Sequence, residues 1–145
     1  MSPAISQPGA PFTARKHAVQ LSASLERCVL GTPAAVGVLR ALAEVRLHQW
    51  DLSELVGDAT VVVSELLTNA VEAAPGRPLV FRLTRQPETL LIEVQDSSVQ
   101  AARFEQPDEF AEQGRGLWLV DLLASSWGQH QDANGTKTVY AEFKL

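Results

Sequence analysis

Between Val61 and Ala74 the chain reads Val-Val-Val-Ser-Glu-Leu-Leu-Thr-Asn-Ala-Val-Glu-Ala-Ala, which sets Glu65 one helical turn before Asn69. At about 100° per residue, Asp58, Glu65, Asn69 and Glu72 share one stripe of a helix. Beside that stripe runs an apolar arc of Val62, Val63, Leu66, Ala70, Ala73 and Ala74. A carboxylate and a carboxamide therefore stand at the rim of a core, where they form either the solvated margin of an amphipathic helix or one wall of a site. Asp96 is a second group of interest. Leu90, Ile92 and Val94 alternate as the core-facing row of a strand, and Asp96 has the same parity. A carboxylate on the core side needs a donor. That donor is a backbone amide or an arginine in one reading and a ligand N–H in the other. Third, Gly114-Arg115-Gly116 leads into the apolar run Leu117, Trp118, Leu119, Val120, Leu122 and Leu123. Glycines before a helix N-terminus can cradle phosphate with backbone N–H groups and the helix dipole, and Arg115 adds charge. The segment is not a P-loop, because it lacks Lys-Ser/Thr, and it does not follow a strand as the dinucleotide fingerprint does.

The elements that must hold these groups follow from local signals. Val19, Leu21, Ala23 and Leu25 alternate with polar residues from His17 toward Leu30, as in a half-buried strand. Thr32-Pro33 supplies an N-cap and a first-turn proline for a helix reaching about His48. Asp51 and Glu54 have capping-box spacing and are expected to open the helix that carries Glu65, with Gly57 a candidate interruption and Pro75-Gly76 the stop. Leu79 to Arg85 and Thr89 to Asp96 read as a hairpin turning at Gln86-Pro87-Glu88. Ser97 to Gln113 is a long polar loop of the kind that covers sites. Trp127-Gly128 starts a short strand, Asn134-Gly135 marks a tight turn, and Val139, Ala141 and Phe143 share a face of the last strand. One apolar stripe per helix and alternating strands give an α+β fold. It is a two-layer sandwich in which a mixed, mostly antiparallel sheet is covered on one face by about three helices.

With 145 residues, 46% of them hydrophobic, the chain is sized for one globular domain. Residues 1–15, with Pro3, Pro8, Gly9 and Pro11 among Ser, Ala and Gln, read as a flexible tail before a domain at 16–145. A net charge of −5 argues against a sequence-independent grip on nucleic acid or anionic lipid. With neither an apolar leader nor a pair of cysteines, the expectation is a cytoplasmic protein that is not membrane-bound. Cys28, the sole cysteine, reads as a small buried hydrophobe.

Taken in order, Glu-x-x-x-Asn on a helix, a hairpin ending in Asp, a polar loop, Gly-x-Gly-Leu and a Gly-Thr-Lys-Thr-Val strand resemble the ATP-binding fold of gyrase, the Hsp90 chaperones and histidine kinases. Val-Val-Ser-Glu-Leu-Leu-Thr-Asn-Ala-Val together with Gly-Arg-Gly-Leu-Trp-Leu-Val-Asp-Leu-Leu-Ala is more closely similar to the bacterial anti-sigma factor serine/threonine kinases, notably the small stand-alone ATPases of actinobacteria. The likeness runs from about Val19 to Phe143. It implies an ATP-binding kinase-like domain in which Asn69 holds Mg²⁺ against the phosphates and Glu65 activates the attacking hydroxyl. An amide oxygen suits magnesium, and a carboxylate can take the proton. By the same resemblance Asp96 takes the adenine amino group, Gly114, Arg115, Gly116 and Leu117 wrap the phosphates, and Thr138 backs up Asp96. Thr138 has the opposite parity to Val139, so that last role requires a bulge near Gly135. The sequence departs from the family where Ser97-Ser98-Val99 follows Asp96 in place of a glycine, and where Glu72 and Ala73 replace arginine and histidine. The implied partners are an anti-anti-sigma factor and a sigma factor, with room for a homodimer and no direct nucleic acid contact. Two functions compete. One is a protein serine kinase that also sequesters a sigma factor; the other is a nucleotide-responsive binding module that transfers no phosphoryl group.

Overall fold

The computed structural model describes residues 23–97 and 115–145. The expected tail at 1–15, the start of the first strand, the loop beyond Ser97 and Gly114 lie outside the described residues.

Five strands form one sheet in the order β1-β2-β3-β5-β4, where β1 is Ala23–Leu30, β2 Pro78–Arg85, β3 Thr89–Asp96, β4 Ser126–Gln131 and β5 Lys137–Lys144. Every described pairing is antiparallel. Helices α1 (Pro33–Gln49), α2 (Val56–Ala73) and α3 (Arg115–Leu123) bury their apolar sides in one core with one face of this sheet. Phe81, Leu83, Leu90, Ile92 and Val94 supply the sheet side of that core, and Leu39, Leu47, Val62, Leu66 and Val120 the helix side. The result is the α+β sandwich that the patterning predicts.

Local chemistry explains most of the boundaries. Thr32 caps α1, its Oγ1 accepting from the Ala35 N–H at 3.2 Å, with Pro33 at the first helical position. The far end of α1 departs from expectation. Asp51 does not cap the following helix; it takes a left-handed φ of 65° and ends the preceding one. The Leu52 N–H bonds Leu47 O at 2.8 Å and the Asp51 N–H bonds His48 O at 3.1 Å, the paired closure of a Schellman motif. A short 3-10 turn, Ser53–Leu55, then feeds α2, whose N-cap Leu55 makes no side-chain capping bond. Gly57 lies within α2 and does not interrupt it. At the β4–β5 turn Gly135 has φ 86°, and its N–H bonds Asp132 O at 3.0 Å.

On the sheet's outer face the side chains link laterally. Arg82 on β2 donates to Glu26 on β1 at 2.5 Å and to Gln95 on β3 at 3.4 Å. Gln95 in turn donates to Thr136 at 3.0 Å and to Asp132 at 3.3 Å, tying β3 to the β4–β5 turn. Cys28 also lies on this face, exposed beside Val80, and is not the buried hydrophobe expected of it. Leu25 turns inward, so Cys28, three positions on, must turn outward.

Candidate functional site

The site is built on α2. Ala59, Val62, Val63, Leu66, Leu67, Ala70 and Val71 bury one broad side of this helix, wider than the predicted arc. Glu65 and Asn69 sit half-buried at its margin, whereas Asp58 and Glu72 on the same stripe are exposed. The stripe is therefore a graded rim and not a uniform solvated face. Burial raises the Glu65 carboxyl above its ordinary pKa of 4.5, and the neighbouring Glu72 carboxylate pushes it the same way. At neutral pH Glu65 is accordingly a stronger proton acceptor than a solvated glutamate.

Helix α2, which carries Glu65 and Asn69, packs against α3 and lies over β5 and over β3, the strand that ends in Asp96. Arg115 and Gly116 form the first turn of α3, and Leu117 after them is buried in the core. At the end of β3, Asp96 is buried in line with Leu90, Ile92 and Val94, as its parity requires. Ser97 follows, its hydroxyl buried and without a hydrogen-bond partner among the described residues.

The strand register identifies a residue that sequence reasoning passed over. Asp96 pairs with Lys137, and the β3–β5 register runs on without interruption to Thr89 opposite Lys144. No bulge slips β5. Thr138 consequently pairs with Gln95 and His130 on the outer face, buried but turned away from Asp96, and the core-facing position beside Asp96 belongs to Lys137. Lys137 Nζ lies 3.8 Å from Asp96 Oδ2, with the two side chains 1% and 2% exposed. A buried lysine is rare unless paired. The signal was available in the sequence: the inward row Phe143, Ala141, Val139 extends two positions back to Lys137.

Among the described residues no three His, Cys, Asp or Glu side chains gather into a metal-binding cluster. No described helix is long and apolar enough to cross a membrane.

Comparison with known proteins agrees with this fold. The RsbU and RsbW domains of Rv1364c from Mycobacterium tuberculosis superpose with a TM-score of 0.57 at 20% identity, over 85% of this chain and 32% of that one. The chain thus spans about a third of that relative's length. The SiaB–SiaC complex from Pseudomonas aeruginosa gives a TM-score of 0.57 at 13% identity, over 93% of this chain and 97% of the other. No curated protein matches the sequence. Residues 30–141 match the family model described as the histidine kinase-like ATPase domain. An ATPase domain of that kind implies ATP binding. The chain belongs to the family of histidine kinase-like ATPase domains.

Proposed function

We propose that this protein is an ATP-binding regulatory serine kinase of the anti-sigma type. In the cytoplasm it phosphorylates a serine of an anti-anti-sigma partner and, in the alternate state, sequesters a sigma factor. The observation that carries the reading is Glu65, a half-buried carboxylate with raised proton affinity one helical turn before Asn69. A base at that position serves phosphoryl transfer. As the serine oxygen bonds to the terminal phosphorus and the bond to the bridging oxygen breaks, releasing ADP, Glu65 takes the hydroxyl proton. Asn69 would offer its side-chain amide oxygen as one hard ligand to Mg²⁺. Asp96 receives the adenine amino group. By the resemblance, the phosphates would fall to Gly114, Arg115 and Gly116.

Incubation with terminally labelled ATP and an anti-anti-sigma protein tests the proposal. Label should pass to a partner serine, and Glu65→Gln should slow transfer by about two orders of magnitude or more while ATP still binds. Asn69→Ala should weaken Mg-ATP binding and stop transfer. Equal rates for wild type and Glu65→Gln would remove Glu65 from the chemistry. The second reading, a nucleotide-responsive binding module, is favoured by the Ser97-Ser98-Val99 that follows Asp96 in place of the family's glycine and by the short glycine segment. It takes over if wild type binds ATP and labels no partner.

A further inference from the structure

We propose that the outward face of α1 is a docking surface for a second copy of this chain, packed antiparallel about a two-fold axis through Ala41. None of its residues is assigned to ATP or Mg²⁺, so this surface stands or falls apart from the nucleotide reading.

The face is apolar where an ordinary surface helix is polar. Ala34, Val38, Ala41 and Val45 recur at steps of four, three and four, the spacing of a coiled-coil seam. All four are exposed, Val38 at 66% and Val45 at 52%. Gly37 lies on the same face, inside the helix, where glycine weakens helical structure. Nothing within the chain asks for it, because a Cβ there would meet no heavy atom within 4 Å. A second backbone approaching closely does. Between α1 and α2 a cleft of about 290 Å³, lined by Gly37, Arg40, Ala41, Glu44, Thr60 and Val61, opens beside the seam.

Charge selects the occupant. Arg40 and Glu44 are exposed and border the cleft, and neither has an ion-pair partner among the described residues. Within one helix, arginine four residues before glutamate is the less favourable order. Across a two-fold axis at Ala41 the order becomes complementary. At about 1.5 Å and 100° per residue, Ala41 meets Ala41 of the second copy, and Val38 meets its Val45 on one flank. On the other flank Glu44 enters beside its Gly37, within reach of its Arg40. Each off-axis contact occurs twice, as a closed dimer requires.

Sedimentation equilibrium of the full chain tests the idea. One helix pair is a small interface, so wild type should dimerise with a dissociation constant of about 1–100 μM that weakens as salt rises. Ala41→Glu sets two like charges on the axis and should leave the chain monomeric across that range, with unchanged helical circular dichroism because the position is exposed. Arg40→Glu and Glu44→Arg should each weaken the dimer about tenfold or more, and the two together should restore it to within about threefold of wild type. A wild type that stays monomeric throughout would overturn the proposal and leave the face to another protein. A dimer that survives Ala41→Glu would place the interface elsewhere, and a double reversal that restores nothing would refute the two-fold pairing.

Discussion

Removing either member of the Asp96–Lys137 pair should cost far more stability than removing both. At 3.8 Å and an effective dielectric constant of about 20, opposite unit charges attract by about 4 kcal/mol. Desolvation of two groups that are 1% and 2% exposed offsets much of that gain, so the intact pair adds little beyond an apolar pair of similar shape. A single substitution is different, because the remaining charge keeps its desolvation cost and loses its partner. Lys137→Met and Asp96→Asn should each destabilise the protein by about 3–5 kcal/mol at pH 7. The double variant should lose far less than either single variant, so that the coupling exceeds either single loss. Against a typical total of about 5–15 kcal/mol, such losses are readily measured by urea denaturation without nucleotide, followed by tryptophan fluorescence. The cycle cancels whatever else each side chain touches. Single losses that simply add in the double variant would show that the two charges do not interact in the folded chain.

Glu65→Gln should change stability in a pH-dependent way. The folded state holds the Glu65 proton more tightly than the unfolded chain, so its contribution is fully present below about pH 4.5 and is lost as pH rises through the raised folded value. The Gln variant should therefore be more stable than wild type at pH 7, with the difference closing below pH 4.5; a constant offset across that range would contradict the burial of Glu65. Asp51→Gly relieves a left-handed backbone at the end of α1 and should stabilise by about 0.5–1 kcal/mol in a thermal melt. Phe81→Ala empties a fully buried position between the sheet and the helices and should cost about 3–5 kcal/mol in chemical denaturation.

What the sequence disclosed, and what it withheld, follows the range of the forces involved. Thr32-Pro33 was readable because a cap is satisfied within three residues. The inward turn of Asp96 was readable because strand parity is local. Asp51 misled because two helix ends compete for it: its spacing to Glu54 fits a cap, but closure of α1 onto Leu47 and His48 claims its backbone first. Cys28 was legible from its parity with Leu25, yet a general preference of cysteine for the interior pointed the other way. Lys137 depended on something no local pattern contains, the register between β3 and a strand far along the chain. Parity alone does put Lys137 inward, but an inward lysine is credible only once its carboxylate is known to stand opposite.

The strand order also bears on how the protein assembles. Hairpins β2–β3 and β4–β5 close over short turns, whereas the β3–β5 seam joins the two halves of the chain across the whole of α3 and β4. Contacts distant in sequence carry a large loop-closure entropy and slow folding. Asp96 and Lys137 lie at one end of that seam, so each charge remains hydrated on its own half until the halves dock. Joining the seam is the moment at which both lose water together. A folding barrier placed there should rise when one of the two charges is deleted and be largely restored when both are.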